Sequence, residues 1–132
     1  MNDYFFGVEM EKKFLIAGVF LVLIIVSGLW LSRTARPLNV LALTVHKLIA
    51  VGGVALLVIT LYRQHQAMPL TSIQIAVSVT TLVLFLALIV TGGLLSTAKT
   101  WPALVLKIHQ VVPTIIILST AVNLYLLLGR KA

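Results

Sequence analysis

The chain has 132 residues, of which 61% are apolar and 10% charged, and its mean hydropathy is +1.15. Soluble globular domains carry about 25% charged residues, so this composition indicates an integral membrane protein with no room for a separate soluble domain. The chain has no cysteine, which excludes disulfides, iron–sulfur clusters, thiolate metal ligands and cysteine nucleophiles. Its net charge of +7 reflects ten Lys and Arg against three acids, all before residue 12. This pattern is typical of basic membrane loops rather than of nucleic-acid binding.

Four long apolar segments follow one another along the chain. Each is long enough, at 1.5 Å per residue, to cross a bilayer. Short polar and basic segments with Ser, Gln and Pro separate them, so successive helices must run antiparallel. The sequence therefore predicts an all-α fold, a transmembrane four-helix up-down bundle that forms a single integral membrane domain over residues 1–132. The predicted helices are residues 14–31, 38–62, 73–95 and 104–128, after a short polar lead-in.

The two halves of the chain share a pattern of polar residues. Residues 26–32 (VSGLWLS) align without gaps on residues 90–96 (VTGGLLS). A one-residue gap in the following loop then aligns His46 with His109. A tyrosine follows each histidine by sixteen residues, at Tyr62 and Tyr125. We therefore expect two tandem two-helix repeats related by a two-fold axis along the membrane normal, with equivalent residues at equal depth.

His46 and His109 are predicted within helices two and four at similar depth. An imidazole in hydrocarbon is rare unless it has a partner, so a matched pair is a functional hypothesis. In an up-down bundle helices two and four stand diagonally across the core, where two imidazoles can ligate one haem iron from its two faces. Such ligation leaves no open iron site and favours electron transfer. The pair predicts one non-covalent haem b with His46 and His109 as its metal ligands.

Small residues are expected around this haem. Gly28 and Gly92, together with Gly93, lie near the same helix ends as the histidines and would leave room for the haem edge. Ala50 and Gly53 continue the face of His46 and would clear space for the ring.

Further residues are assigned from the same position in the bundle. Pro113 should kink helix four below His109. Asn123 and Thr60 are expected to bond across helices near the opposite surface. Candidate hydroxyls for hydrogen bonds to the ligating histidines are Ser27, Thr44 and Thr91. Cations expected near the haem propionates are Arg33, Arg36, Lys47, Lys99 and Lys107.

Each of these features also has a purely structural interpretation. Transmembrane histidines often serve as interhelical hydrogen-bond partners, and glycines often mark close helix packing. Tyr62, Tyr125, Trp30 and Trp101 are typical of the interfacial aromatic belt, with a quinone site as the alternative for the tyrosines. His65 is interpreted as a solvated loop residue. The alternatives are a haem-free structural or assembly subunit of a larger membrane complex, or a small proton-coupled transporter whose histidines titrate.

The chain resembles the small four-helix membrane b-type cytochromes of the broad cytochrome b561-like and ferric-reductase-like group. The resemblance covers residues 14–128 and rests on Ser27-Gly28, Thr91-Gly92, His46-Lys47 and Lys107-Ile108-His109-Gln110. It implies haem b held between helices and single-electron exchange with a quinone, an ascorbate-like donor or a redox partner subunit. Two-haem members use two histidine pairs, whereas this chain has one, so transmembrane electron transfer by the chain alone is not expected.

These assignments predict an electron-transfer cytochrome, or a subunit of an oxidoreductase complex, rather than a stand-alone enzyme. The expected partners are the lipid bilayer, other subunits of a redox complex or a soluble electron carrier, and a quinone as a further candidate. The expected location is the prokaryotic cytoplasmic membrane, crossed several times. The two predicted sides of the membrane carry equal numbers of Lys and Arg. When Lys47 and Lys107, which lie within predicted helices, are not counted, the side of the termini has more basic residues, which favours cytoplasmic termini.

Overall fold

A computed structural model describes residues 2–34, 37–97, 100 and 102–128, and over these residues the chain is helical with no strand. It forms four helices, α1 (Asn2–Arg33), α2 (Val40–Ala67), α3 (Ser72–Thr97) and α4 (Ala103–Leu128). Each helix contains a span that is long and apolar enough to cross a membrane, namely Leu15–Arg33, Val40–Ala67, Ser72–Thr97 and Ala103–Asn123. The predicted all-α class and multi-pass membrane character are confirmed.

Two helices extend well beyond their predicted ends. α1 begins at Asn2 rather than at residue 14, because the polar segment before the apolar span is rich in Glu, Met and Lys, which are strong helix formers. α2 continues to Ala67 rather than residue 62, so the prediction that His65 lies in a loop is wrong. Hydropathy marks where the bilayer ends, whereas backbone hydrogen bonding can continue past it. The other boundaries agree within two residues.

Side-chain caps fix the beginnings of α2 and α3. The Asn39 side-chain oxygen accepts hydrogen bonds from the backbone N–H groups of Leu41 and Ala42, at 2.9 and 3.3 Å. At α3 the Thr71 hydroxyl accepts from the Gln74 N–H at 3.4 Å, while the Gln74 side-chain oxygen accepts from the Thr71 N–H at 2.9 Å. This reciprocal pair is a capping box, which satisfies backbone donors that a helix end leaves open.

The chain divides into two compact units, residues 1–62 and 63–132. In the first unit α1 and α2 are antiparallel, because Ser27 contacts His46 near one end and Phe20 lies beside Gly53 further along. In the second unit α3 and α4 are antiparallel as well. Thr91 contacts His109 near one end, and at the other end the Gln74 side-chain amide donates to the Leu126 carbonyl at 2.9 Å. Each half is a helical hairpin, as the two-helix repeat predicts.

Glycines on α2 allow it to approach α1 closely in the first unit. A Cβ atom added at Gly53 would lie 3.1 Å from Cδ1 of Ile24, and one at Gly52 would lie 3.3 Å from Cε1 of Phe20. Gly53 was expected to clear space for a haem ring below His46. That expectation stays a prediction; in the structure the side chain of Ile24 lies against Gly53, as in close packing of two helices.

A polar network joins α3 to α4 in the second unit, away from His109. The Ser78 hydroxyl donates to the Asn123 side-chain oxygen at 3.0 Å, and the Asn123 amide donates to the Thr81 hydroxyl oxygen at 3.0 Å. Thr81 is also hydrogen-bonded to Ser119. Ser78, Thr81 and Asn123 are buried. The expected interhelical bonding of Asn123 is confirmed, whereas that of Thr60 stays a prediction.

On α3 the buried polar residues that bond to α4 are Ser78 and Thr81 of the network and Gln74, which bonds to the Leu126 carbonyl; none of them has a polar counterpart in the first half of the repeat. The positions of the first half that align with Gln74, Ser78 and Thr81 hold apolar residues, namely Met10, Phe14 and Ala17. These α3 residues were not predicted from the sequence. Their spacing of four and then three residues places polar side chains on one helix face, and that period could have revealed them.

Candidate functional site

The first histidine box consists of Ser27 and Gly28 on α1 and His46 on α2. The Ser27 hydroxyl oxygen lies 2.8 Å from Nδ1 of His46, a hydrogen-bond distance. A Cβ atom added at Gly28 would lie 3.2 Å from Cε1 of His46. The imidazole therefore lies against the α1 backbone at a position where only glycine gives full room, and the neighbouring hydroxyl holds one ring nitrogen.

The second histidine box consists of Thr91 and Gly92 on α3 and His109 on α4. The Thr91 hydroxyl oxygen lies 2.9 Å from Nδ1 of His109. A Cβ atom added at Gly92 would lie 3.0 Å from Cε1 of His109. The same ring atoms thus meet the same two residue types in both halves of the chain. Both histidines are partly buried.

The two boxes occupy the same place in their hairpins. His46 lies six residues after Val40, the first residue of α2, and His109 lies six residues after Ala103, the first residue of α4. Ser27 lies six residues before Arg33 at the end of α1, and Thr91 lies six residues before Thr97 at the end of α3. At 1.5 Å per residue, each box is about 9 Å along the axis from the helix ends that flank its turn. The repeat predicted from the sequence extends to three-dimensional geometry.

Two glycines of the boxes lie directly beside the histidine rings. Gly28 and Gly92 each make room for the imidazole of their own hairpin. Their expected place beside a haem edge stays a prediction. Nothing described lies within 4 Å of a Cβ atom added at Gly93, so this third glycine does not contact a histidine ring. Close approach of a ring to a helix backbone requires the first two glycines and not the third.

Two of the three candidate hydroxyls contact a histidine. Ser27 and Thr91 do so, as the sequence analysis expected. The expectation for Thr44 is wrong: its hydroxyl bonds to the Val40 carbonyl of its own helix at 2.8 Å, and its position two residues before His46 on the same helix directs it away from that ring. A threonine within an apolar helix commonly satisfies its hydroxyl in this way, by bonding to the carbonyl four residues earlier.

Pro113 lies within α4, four residues after His109, and the helix continues through it to Leu128. Proline has no N–H group, so it cannot donate to the His109 carbonyl as the fourth residue after it normally would. The kink expected there stays a prediction.

The basic residues near the boxes that the structure describes are exposed. Arg33 is in the last turn of α1, Lys47 follows His46 directly, and Lys107 precedes His109 by two residues. Arg36 and Lys99 lie outside the described residues. The exposed cations have the accessibility that an anionic ligand group or lipid headgroup would need.

Aromatic residues and the remaining histidine lie apart from the boxes. Tyr62, Tyr125 and Trp30 are exposed, which fits side chains of an interfacial belt, while Trp101 lies outside the described residues. His65 is exposed in the last turn of α2, and its Nδ1 accepts a hydrogen bond from the Leu70 backbone N–H at 3.3 Å.

The donor set of the boxes restricts what they can bind. Across the described part of the chain, no group of three or more His, Cys, Asp or Glu side chains could hold a metal ion by itself. Two intramembrane imidazoles suit a metal whose other ligands come with a cofactor, and a porphyrin supplies four. No family model, curated protein or solved structure matches the chain.

Proposed function

We propose that the chain is a membrane-embedded electron-transfer protein that binds one haem b through His46 and His109. The observation that carries this proposal is the repetition of the histidine box. The same ring edge, the same hydroxyl contact at Nδ1 and the same distance from the helix ends occur in both halves. Helix packing alone would not favour two imidazoles, since a polar ring in hydrocarbon is costly and an apolar side chain packs without that cost.

The donor set fits a haem. In each box Nδ1 is engaged by a hydroxyl, so the nitrogen that would ligate iron is Nε2 in both. A ligating histidine commonly uses its second nitrogen in a hydrogen bond that fixes the orientation of the ring. When bound, the haem would supply one-electron exchange. The residues of the chain would hold it at two points, orient both imidazoles and surround them with apolar helices that exclude water.

The exposed cations give the proposal an electrostatic part. Arg33, Lys47 and Lys107 are within about two turns of a box along the sequence, and carboxylates such as haem propionates pair with Lys and Arg. Positive charge close to a haem favours its reduced form, because reduction adds a negative charge. In this proposal Arg36 and Lys99, which follow α1 and α3 in the sequence, have the same role.

The proposal extends to partners and location. An electron-transfer protein needs a donor and an acceptor, so we propose a partner subunit, a soluble carrier or a membrane quinone as its counterpart. We further propose that the chain lies in a prokaryotic cytoplasmic membrane. The basic residues outside the predicted helical segments favour termini in the cytoplasm.

A second candidate function is that of a haem-free structural or assembly subunit. The specific observation in its favour is that each histidine is hydrogen-bonded to the other helix of its own hairpin. Such bonds contribute about 0.6 kcal/mol each on average in membrane proteins. On this alternative the boxes only fasten two helices together and bind no cofactor.

A reduced-minus-oxidised visible spectrum separates the two candidates. The full chain is expressed with ample haem supply and purified in detergent, together with the variants His46→Ala, His109→Ala and, as a matched control, His65→Ala. We expect a sharp low-spin α band that the first two substitutions abolish and the third leaves intact. A colourless wild-type protein would overturn the haem proposal and favour the structural subunit.

A further inference from the structure

We infer that Ser27 and Thr91 are positioning residues that keep the proton of each box imidazole on Nδ1 and thereby present Nε2 as the metal-binding nitrogen. The position of the proton on Nδ1 does not depend on a bound haem, whereas the use of Nε2 to bind iron rests on the proposed haem function. It assigns to two hydroxyls a task beyond joining helices.

The direction of the hydrogen bonds carries the inference in the first box. The Ser27 hydroxyl oxygen lies 2.6 Å from the Leu23 carbonyl oxygen and 2.8 Å from His46 Nδ1. A hydroxyl has one proton to donate and lone pairs to accept with. Two oxygens at 2.6 Å with no proton between them would repel each other, so the hydroxyl proton is donated to the carbonyl. The Ser27 oxygen can then only accept, and the proton it accepts is on Nδ1 of His46.

The second box repeats the arrangement with a different residue type. The Thr91 hydroxyl oxygen lies 2.8 Å from the Ala87 carbonyl oxygen and 2.9 Å from His109 Nδ1. The same reasoning places the proton of His109 on Nδ1. The hydroxyl is the one polar group of a serine or threonine side chain, so it is the group that both boxes use.

His65 provides an internal contrast. Its Nδ1 accepts a hydrogen bond from the Leu70 backbone N–H, so Nδ1 there carries a lone pair and the proton of the neutral ring is on Nε2. The chain thus contains two histidines set in one tautomer by a hydroxyl and one histidine set in the opposite tautomer by a backbone N–H. A measurement of proton position therefore has its own reference within the same molecule.

These hydrogen bonds would affect the midpoint potential of a bound haem iron. Donation from Nδ1–H to an oxygen makes the imidazole a stronger ligand, and a stronger donor stabilises oxidised iron more than reduced iron. Loss of one such bond should shift the oxidised-to-reduced equilibrium up to about tenfold toward the reduced form, the scale of one neutral hydrogen bond. For a one-electron couple this is a rise of about 59 mV in midpoint potential.

The test combines ¹⁵N NMR with a redox titration on the full chain. The protein carries ¹⁵N-labelled histidine and is reduced, so that any low-spin haem iron is diamagnetic. We expect the ring proton on Nδ1 in His46 and His109 and on Nε2 in His65. Ser27→Ala should alter only the Nδ1–H resonance of His46, and Thr91→Ala only that of His109. Ser27→Thr and Thr91→Ser, which exchange the two box hydroxyls, should preserve the wild-type pattern.

Thr44→Ala is the matched control, because Thr44 is a hydroxyl near His46 in sequence that bonds to a carbonyl of its own helix. It should leave both the NMR pattern and the midpoint potential unchanged, whereas Ser27→Ala and Thr91→Ala raise the potential. A proton on Nε2 of wild-type His46 or His109 overturns the inference. So does a haem-loaded protein in which Ser27→Ala and Thr91→Ala change neither signal. The expected tautomers in a chain that binds no haem would refute the proposed function and leave the inference standing.

Discussion

Gly92→Ala tests whether the glycine of a box exists to receive the imidazole. The new Cβ atom would lie 3.0 Å from Cε1 of His109, closer than ordinary contact, so the ring must move by a few tenths of an ångström. The His109 ring, which belongs to α4, is held against α3 by its hydrogen bond to Thr91, the residue directly before Gly92. The substitution therefore pushes the ring away from the helix to which the hydrogen bond ties it.

The expected effect follows from two opposing terms. Replacing glycine by alanine in a helix interior is worth up to about 1 kcal/mol in favour of the helix. Stretching or breaking the bond to Thr91 costs about 0.5–1.5 kcal/mol. Gly93→Ala is the matched control, because nothing described lies within 4 Å of its new Cβ atom and only the favourable term applies. Gly92→Ala should therefore be less stable than Gly93→Ala by about 1 kcal/mol.

The assay is unfolding of the full chain by SDS in mixed micelles, followed by circular dichroism. Gly93→Ala should unfold at the same or higher SDS fraction than the wild type, and Gly92→Ala at a lower fraction than Gly93→Ala. Gly28→Ala, with its Cβ atom 3.2 Å from Cε1 of His46, should lie between them. Equal stability of the Gly92 and Gly93 variants would refute the reasoning.

Three further predictions concern the second-unit network, the α1–α2 packing and the cations. Asn123→Ala removes two interhelical hydrogen bonds and should lower the free energy of unfolding in SDS titrations by about 1–2 kcal/mol; an unchanged midpoint would contradict the network. Gly53→Ala should destabilise the chain, and Ile24→Val should restore part of the loss by removing the methyl group that the new Cβ atom meets at 3.1 Å; no rescue would contradict that contact. Lys47→Gln and Lys107→Gln should each lower the haem midpoint potential, more at low salt than at high salt, and a salt-independent shift would contradict an electrostatic cause.

Much of the fold could be predicted because the bilayer restricts the backbone to few choices. Four apolar segments of sufficient length, separated by short polar turns, allow only antiparallel neighbours, and the structure has two such hairpins. Helix ends outside the apolar spans could not be predicted in the same way. The extension of α2 to His65 and Ala67 depends on backbone hydrogen bonds and helix propensity, which hydropathy does not report.

The sequence repeat led to the site, and the structure adds which atoms of its residues are in contact. The alignment of Ser27-Gly28 with Thr91-Gly92, and of His46 with His109, identified every member of both boxes. The alignment carried no information on whether Gly28 leaves space for a ligand or for the imidazole itself.

The two hydroxyl residues near His46 differ in how far the sequence decides them. Thr44 lies two residues before His46 on the same helix, and residues two apart on a helix do not face each other, so helix geometry alone argues against that contact. The contact of Ser27 with His46 joins two helices, so it depends on how α1 and α2 pack and could not be established from the sequence.

The most direct test of the account is the near-infrared magnetic circular dichroism spectrum of the oxidised full chain. The energy of the low-spin charge-transfer band identifies the two axial ligands of a haem iron. A haem held by His46 and His109 should give a band at the energy of two imidazole ligands, which His46→Ala and His109→Ala each abolish. Absence of a haem signal, a high-spin spectrum or a band at the energy of one histidine and one methionine would contradict it.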